Sequence, residues 1–470
     1  MSYLKNKHLI IFFSFIFLKA ALCAQQPSTL TLTDLLNIVR KFNPIALQAN
    51  ISVDSARANL LSVRGAFDPA LAVYNEQKTF DGKNYFFYTN PELKIPTWYG
   101  IEFKTGLENN GGSRLDEEAT AGRSSYAGIS VPLLNNLVLD RRRASLQQAK
   151  ILIKQSEAER LNAYNDLLLE ATKSYWDWVR EYQVYNIIKN TIEVNKQRYQ
   201  LVKRSFAGGD RAAIDTVEAL TQLQTFLFLE NEAYMRWMDA GYELSTFMWL
   251  DKQEPYRLPV NVIPDSSWNI TRLAGYPIPS IDEAIQTTLT THPKLQSIGF
   301  KLNILEVERK LKFQSLLPKL NVNYNFLSKG YEPWKNVGST LFQNNYKFGI
   351  DFGVPLFQRQ ARGDLKLARL KIDQTELQRK LTSFELENKL RTYHNQASSL
   401  KTQIGIYEEV YRNYQKLLSV EELKFSIGES SLFLVNSREL KAIEAQQKLM
   451  ELKTKFFKSL ASFQWATGQF

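Results

Sequence analysis

Apolar and polar residues alternate in several short segments of the chain. The segment 320–326 carries Leu, Val, Tyr and Phe at its even positions and asparagine at the positions between them. The segments 99–107 and 346–354 alternate in the same way. A period of two with one apolar face predicts half-buried β-strands. Two structures satisfy this pattern: a soluble sheet packed on a core, or a membrane barrel whose apolar face meets lipid.

The segment 346–354 shows how the barrel interpretation assigns side chains. Phe348, Ile350 and Phe352 would face lipid. The residues that alternate with them, a lysine, a glycine and an aspartate, would face a water-filled lumen. Transmembrane barrel strands alternate in this manner, with apolar side chains outward and polar side chains inward.

Long stretches without proline follow the alternating segments, at 133–254 and 356–470. In the first stretch a seven-residue apolar series predicts one helix over 140–206, about 100 Å long, with coiled-coil-like packing. The members of the series are Tyr164, Ala171, Trp178, Tyr185, Ile192, Tyr199 and Phe206. Gly208, Gly209 and Gly428 predict turns that end the long helices and reverse the chain.

The chain contains one pattern twice. Asn43-Pro44 and His292-Pro293 end similar segments, and Pro69 and Pro318 lie at the same spacing from them. Val131-Pro132-Leu133 matches the same triplet at 354–356. These two triplets lie closer together in the sequence than Pro44 and Pro293 do, so the first copy carries extra residues before Pro132. Each copy predicts a short helix, an extended region, a very long helix, a glycine turn and a return helix.

These matches divide the chain into two repeats and a linker. The first repeat spans 25–250 and the second spans 280–470. Five prolines in 251–279 predict the linker. Within the repeats, the strand regions and the helical hairpins are expected at 69–132 and 140–250, and at 318–355 and 358–468.

The number of strands in the first repeat is open at this stage. If the strands cross a membrane, each repeat must cross an even number of times, because it enters and leaves from the same side. The preferred interpretation has 69–79 and 124–132 crossing, with 97–108 in an extracellular hairpin. Four crossings are the alternative. Residues 109–122 are polar and glycine-rich, which is typical of an exposed loop.

The N-terminus is interpreted as a secretory signal peptide over 1–24. Lys5 and Lys7 precede an apolar stretch, and small residues follow it. Cys23 leaves a lipoprotein signal as the alternative. No later stretch of about 18 apolar residues exists, so no transmembrane helix is predicted.

The composition leaves little room for catalysis or metal chemistry. The 470 residues include one cysteine and three histidines. No P-loop, nucleophile-elbow or zinc-protease motif is present. We therefore expect no enzymatic activity, no cofactor and no metal site, and we interpret His292 and His394 as structural.

A basic run, Arg141-Arg142-Arg143, opens the first long helix, in a chain whose net charge is +11. Nucleic-acid binding is not expected, because the chain is predicted to be secreted and no stacking aromatics interleave with the run. The run is instead interpreted as lying just under a membrane near lipid phosphates, or on a solvated helix face.

The ordered set of features resembles the TolC-like outer-membrane efflux proteins. The features are the tandem repeat, the Val-Pro-Leu exit from a strand into a long helix, and the glycine turn at each helix tip. The resemblance implies an α+β membrane protein, a homotrimer with one shared transmembrane β-barrel and a long periplasmic α-helical barrel. It also implies a passive outer-membrane channel in a tripartite efflux or type I secretion system, with a periplasmic adaptor and an inner-membrane transporter as partners.

The resemblance also implies roles for residues near the helix tips. Asp215 and Glu218 would line the periplasmic aperture, and Gly208, Gly209 and Gly428 would form the adaptor-docking tip. The second repeat departs from the family pattern, because its matching positions hold a leucine and a serine rather than acids. Asp215 and Glu218 could instead be a solvated acidic first turn that the helix dipole favours.

Two other classes of protein stay open. A periplasmic adaptor also combines a helical hairpin with strands, although it needs only one hairpin. A secreted helical structural protein without a pore is the second possibility. Fractionation into the outer membrane, with solubility only in detergent, would distinguish the channel from both. The exported substrate is not encoded in any recognisable motif.

Overall fold

The computed structural model describes residues 28–266, 273 and 276–470. The predicted signal peptide, 1–24, lies outside the described residues together with Cys23, and so does part of the predicted linker. Among the described residues, no helix combines the length and the apolar character needed to span a membrane.

The elements alternate between short strands and helices of very different lengths. Those of residues 28–266 are β1 (Ser28–Leu30), α1 (Leu32–Phe42), α2 (Pro44–Arg64), β2 (Ala70–Phe80), β3 (Lys83–Pro96), β4 (Glu102–Gly111), β5 (Gly122–Pro132), α3 (Arg141–Ala207), α4 (Ala213–Ser245) and β6 (Val262–Pro264). Those of residues 276–470 are α5 (Ile281–Thr291), α6 (Pro293–Gln314), β7 (Lys319–Lys329), β8 (Tyr346–Gly353), α7 (Arg359–Ser426) and α8 (Leu432–Thr467).

The chain divides into two compact units. One comprises residues 28–48 together with the described residues of 163–288 and with 386–470, and it is mainly helical. The other comprises 49–162 and 289–385, and it contains a six-stranded sheet. The long helices α3 and α7 each contribute residues to both units.

Two short helices stand where the sequence predicted one in each repeat. Pro44 and Pro293 begin the second helix of each pair, because proline lacks the N–H that the first helical turn leaves unpaired. The residue before each proline caps that helix. The side-chain oxygen of Asn43 accepts a hydrogen bond from the Ile45 N–H at 2.9 Å. Nδ1 of His292 accepts one from the Lys294 N–H at 3.1 Å, which gives this histidine a structural role.

The core of the helical unit lies where α1 packs against α3 and α4. Leu35 of α1, Trp178 of α3 and Leu244 of α4 are all fully buried there. The seven-residue series of α3 supplies much of this core, since Ala171 and Trp178 are buried. The series reaches water at its end, where Phe206 is 45% exposed.

The six-stranded sheet is antiparallel throughout, in the order β2-β3-β4-β5-β7-β8. Four of its strands come from residues 69–132. The preferred two-strand interpretation of that region therefore differs from the structure, which has the four-strand alternative. The segment 97–108 lies partly in β4 rather than in a distant hairpin.

The turn between β3 and β4 lies beside the start of α3. The guanidinium of Arg143 donates hydrogen bonds to the carbonyl of Asn136 at 2.5 Å and to that of Tyr99, in the turn, at 3.4 Å. Trp98, in the same turn, stacks on Phe67 with the ring centroids 4.1 Å apart. The turn is thus at the end of the sheet where the chain enters β2 and leaves β5.

Candidate functional site

The turns that end α3 and α7 have the same backbone geometry. Gly209 and Gly428 both adopt a φ of +84°, which L-residues with a side chain rarely adopt. Two hydrogen bonds of a Schellman motif close each turn. Their donors and acceptors are Gly209 N to Phe206 O and Asp210 N to Ser205 O in one, and Gly428 N to Phe425 O and Glu429 N to Lys424 O in the other. Gly208 has no positive φ, so the turn does not require glycine there.

The two turns also contact each other. The guanidinium of Arg211 donates to the carbonyl of Phe425 at 2.7 Å and lies 4.1 Å from the centroid of its ring. Beneath them, Val202, Ala219 and Leu432 form a small buried cluster. The tips of the two hairpins are therefore fixed against one another by polar and apolar contacts.

The predicted aperture acids differ in their surroundings. Glu218 accepts a hydrogen bond from the side-chain amide of Asn436 on α8 at 3.2 Å, so it joins two helices. Asp215 lies half-buried in the first turn of α4. The matching positions on α8 are Leu434 and Ser437, as the sequence indicated. Of the two acids, Glu218 has a structural contact that the sequence did not reveal.

A buried ion network joins three helices close to the tips. Arg198 of α3 donates to both carboxylate oxygens of Glu439 on α8, at 2.8 and 3.0 Å, and to Glu422 on α7 at 2.9 Å. Asn195 donates to the same Glu439 carboxylate at 3.0 Å. The side chains of Arg198 and Glu439 are only 10% and 6% exposed.

The network keeps Arg198 charged. Burial alone would lower the pKa of Arg198, but the hydrogen bonds and charges of Glu439 and Glu422 raise it above its ordinary value. A two-point arginine–carboxylate contact also fixes the relative orientation of the two helices. The sequence does not predict this network, because the carboxylate partners of Arg198 lie more than 200 residues away and nothing near it in the sequence distinguishes it from a solvent-exposed arginine.

The three arginines of the basic run have three different environments. Arg141 is exposed. Arg142 lies 3.6 Å from the carboxylate of Glu102. Arg143 is bound to backbone carbonyls and to Asp140, and its side chain is only 14% exposed. Arg141 is therefore the member of the run with the most accessible charge.

The residues predicted to face lipid lie together on one exposed face of the sheet. Phe348, Ile350 and Phe352 are 41%, 57% and 66% exposed. Their partners across β7 are apolar as well: Tyr324, Val322 and Leu320. The intervening residues of β8 pair with asparagines on the opposite face.

The part of the chain that the structure describes contains no candidate metal site, that is, no group of three or more histidine, cysteine, aspartate or glutamate side chains that could hold a metal ion. Two features make up the candidate site: the paired helix tips in the helical unit, and the sheet with one apolar and one polar face in the other unit.

Replacing Gly428 with alanine tests the turn geometry. Gly428→Ala should lower the thermal denaturation midpoint, because an L-residue in the left-handed region costs about 1–2 kcal/mol while the new methyl group meets no neighbour. Gly405→Ala is the matched control, since Gly405 lies within α7 and also has open space around it. That control should raise the midpoint slightly, because alanine favours a helix. Equal effects of both variants would contradict the assigned turn.

Removing one partner of the buried network tests its contribution to stability. Glu439→Ala leaves the Arg198 charge buried with fewer contacts, and should cost about 3 kcal/mol or more. Glu444→Ala removes a carboxylate from the same helix whose ion pair is exposed, and should leave the denaturation midpoint nearly unchanged. If Glu439→Ala is as mild as Glu444→Ala, the network does not stabilise the tip.

Solved structures share this architecture, whereas no protein-family model and no curated protein matches the chain. The CmeC outer membrane channel of Campylobacter jejuni is 16% identical, with a TM-score of 0.66 over 93% of this chain and 86% of CmeC. The MtrE outer membrane channel of Neisseria gonorrhoeae is 14% identical, with a TM-score of 0.64 over 93% and 88%. The outer membrane protein VceC of Vibrio cholerae is 12% identical, with a TM-score of 0.61 over 93% and 96%. The chain therefore has the fold of the TolC-like outer-membrane efflux channels.

Proposed function

We propose that three copies of this chain form a passive outer-membrane channel, in which substrates pass from an inner-membrane pump and a periplasmic adaptor to the exterior. The observation that carries the proposal is the six-stranded sheet, which has an exposed apolar face and open edges at both ends. The sheet would lie in the outer membrane and the long helices in the periplasm. Either efflux or type I secretion would use such a channel.

The edges of the sheet are the first argument for several copies. β2 and β8 each have one neighbour in the sheet, and every residue of β2 is exposed in a single copy. In lipid, unpaired backbone N–H and C=O groups have no water to bind, so membrane sheets close into barrels. Pairing of β2 with β8 of a neighbouring copy would close this sheet, and three copies are the number that the resemblance implies.

The apolar face is the second argument. It runs across the sheet from Leu71 of β2 to Phe352 of β8, which are 72% and 66% exposed. An apolar surface that extends over six strands is costly in water and is typical of a surface that meets a partner or lipid. The opposite face carries charged and amide side chains, which suit a water-filled lumen.

The helix tips would dock the adaptor. Ile214 and Phe433, just after the two turns, are both 67% exposed, and Ile427 is 62% exposed. Apolar side chains at a helical tip offer a surface to partner helices. Asp215 is the stronger candidate for an aperture acid, since Glu218 is engaged by Asn436. Arg141 is the candidate for contact with lipid phosphates.

The alternative functions account for less of the structure. A periplasmic adaptor needs one helical hairpin, whereas this chain has two, α3–α4 and α7–α8. A helical structural protein would not need a sheet with an exposed apolar face. A channel whose chain contains two tandem repeats accounts for both hairpins.

Assembly is directly measurable. Native mass spectrometry of the detergent-extracted protein should detect a stable trimer, because the sheet of one copy cannot close on itself without leaving backbone groups unpaired. The protein should also fractionate with the outer membrane. A stable monomer as the main species would contradict the proposal.

Cysteine labelling tests which face of β8 meets lipid. The only native cysteine, Cys23, lies in the predicted signal peptide, so single-cysteine variants of the mature chain have no background thiol. Cysteines at 348, 350 and 352 should react with a lipid-soluble maleimide in the assembled membrane. Cysteines at 347, 349 and 351 should react with a small water-soluble maleimide that enters the pore. Labelling without this two-residue period would refute a barrel.

A further inference from the structure

We propose that β3 and β4 form an inserted hairpin that widens the shared barrel, so that three copies close eighteen strands, six from each. This proposal rests on the proposed trimeric channel. It concerns a part of the chain that has no counterpart in the second repeat.

The repeat identifies the insertion. Pro69 directly precedes β2 as Pro318 directly precedes β7, and a Val-Pro-Leu triplet marks the ends of both β5 and β8. By this match β2 corresponds to β7, and β5 corresponds to β8. In the second repeat the two corresponding strands pair directly with each other, but in the first repeat β3 and β4 lie between them.

The inserted strands are full members of the sheet. β3 pairs with β2 from Lys83 opposite Phe80 to Lys94 opposite Ala70, with one irregularity in the register. β4 pairs with β5 from Glu102 opposite Ser130 to Asn110 opposite Gly122. β3 has 14 residues and β4 has 10, compared with 11 in each of β2, β5 and β7. The hairpin is therefore as long as the strands on both sides of it.

The β3–β4 turn lies at the end of the sheet that is next to helix α3, so β3 and β4 each run the full height of the sheet. The carbonyl of Tyr99, in that turn, accepts a hydrogen bond from Arg143 in the first turn of α3. The chain thus returns to the helix-proximal end of the sheet before it starts β4. The first repeat would then cross the membrane four times and the second twice. Both numbers are even, as they must be if each repeat enters and leaves the membrane on the same side.

Both faces of the sheet continue through the hairpin. On the apolar face, Leu71 lies opposite Leu93, and Ile95 lies opposite Phe103. On the polar face, the Lys94 ammonium lies 2.7 Å from the Glu92 carboxylate. A barrel wall that included β3 and β4 would have this two-sided pattern, whereas a solvated extracellular hairpin would not need it.

A contact across three strands fixes the hairpin in the sheet. The hydroxyl of Tyr126 on β5 donates a hydrogen bond to the Glu92 carboxylate on β3. The tyrosine ring reaches across β4 at Gly106, where a Cβ atom would lie only 2.6 Å from the ring. Glycine at this position permits the contact, and the contact holds β3 to β5 over the strand between them.

The insertion changes the width of the pore. With strands about 4.8 Å apart and tilted by about 40°, eighteen strands give a barrel about 36 Å across between backbones. Two strands from each repeat would give twelve strands and a barrel only about 24 Å across by the same geometry. Barrels of 16–18 strands hold an open aqueous channel.

The test labels single cysteines in the full-length trimer, in outer-membrane vesicles. We expect Leu93→Cys and Phe103→Cys to react with a lipid-soluble maleimide. A water-soluble maleimide should not label them. Their matched controls, Lys94→Cys and Lys104→Cys, are the next residues along each strand and should react with the water-soluble reagent. As a second measurement, electron microscopy of the unsubstituted trimer should give the wider of the two barrel diameters.

The outcomes separate the two proposals. If the cysteines on β8 show the two-residue period but all four on β3 and β4 react with the water-soluble reagent, the widened barrel is refuted and the channel stands. A barrel with the narrower diameter would also refute the widening alone. If β8 shows no period either, both proposals fail together.

Discussion

The pairing of backbone groups at the edges of the sheet is the constraint on which the rest of this structure depends. A β-strand at the edge of a sheet leaves a row of N–H and C=O groups unpaired on its open side, and lipid offers them no partner. β2 and β8 are such strands in a single copy. Their pairing between copies would make the oligomer a requirement of folding in the membrane rather than a later association. Entry into and exit from the membrane on the same side would separately require an even number of strands per copy, and the sheet has six.

The helical unit pairs its backbone N–H and C=O groups in another way. An α-helix satisfies its own backbone along its length, so only its ends and its packing need the rest of the protein. Gly209 and Gly428 satisfy the ends near the tips with identical turns. Arg198 and Glu439 fix the packing just behind those turns, through a buried two-point contact. A rigid tip with exposed apolar side chains is suited to repeated docking, because little ordering is needed when a partner binds.

The elements with a strong local signal could be predicted from the sequence. The seven-residue series predicts a helix over 140–206, and α3 spans Arg141–Ala207. Glycine predicts the turns, because positive φ strongly favours a residue without a side chain. The alternation of β7 and β8 predicts both the strands and their apolar face. In each of these cases the deciding interaction lies within a few residues along the chain.

The features that depend on distant residues could not be predicted. β3 has no clear alternation, because Asn90 and Pro91 interrupt it, and it is a strand only because β2 and β4 pair with it on both sides. The Arg198–Glu439 contact joins residues 241 positions apart, so neither residue has a local signal. Helix α2 was not predicted either, because a proline is compatible both with the end of one helix and with the start of the next, and Pro44 starts α2.

Disulfide formation between the two edge strands of neighbouring copies tests the central claim most directly. Cysteines at 72, 74 or 76 on β2 would be combined with cysteines at 347, 349 or 351 on β8, all on the polar face. The account predicts covalent dimers and trimers for at least one combination, since facing residues on paired strands lie about 5 Å apart. Asn323→Cys with Gly349→Cys, which face each other within one copy, is the positive control. If that control forms a disulfide and no combination links two copies, the edges are not closed by neighbouring chains.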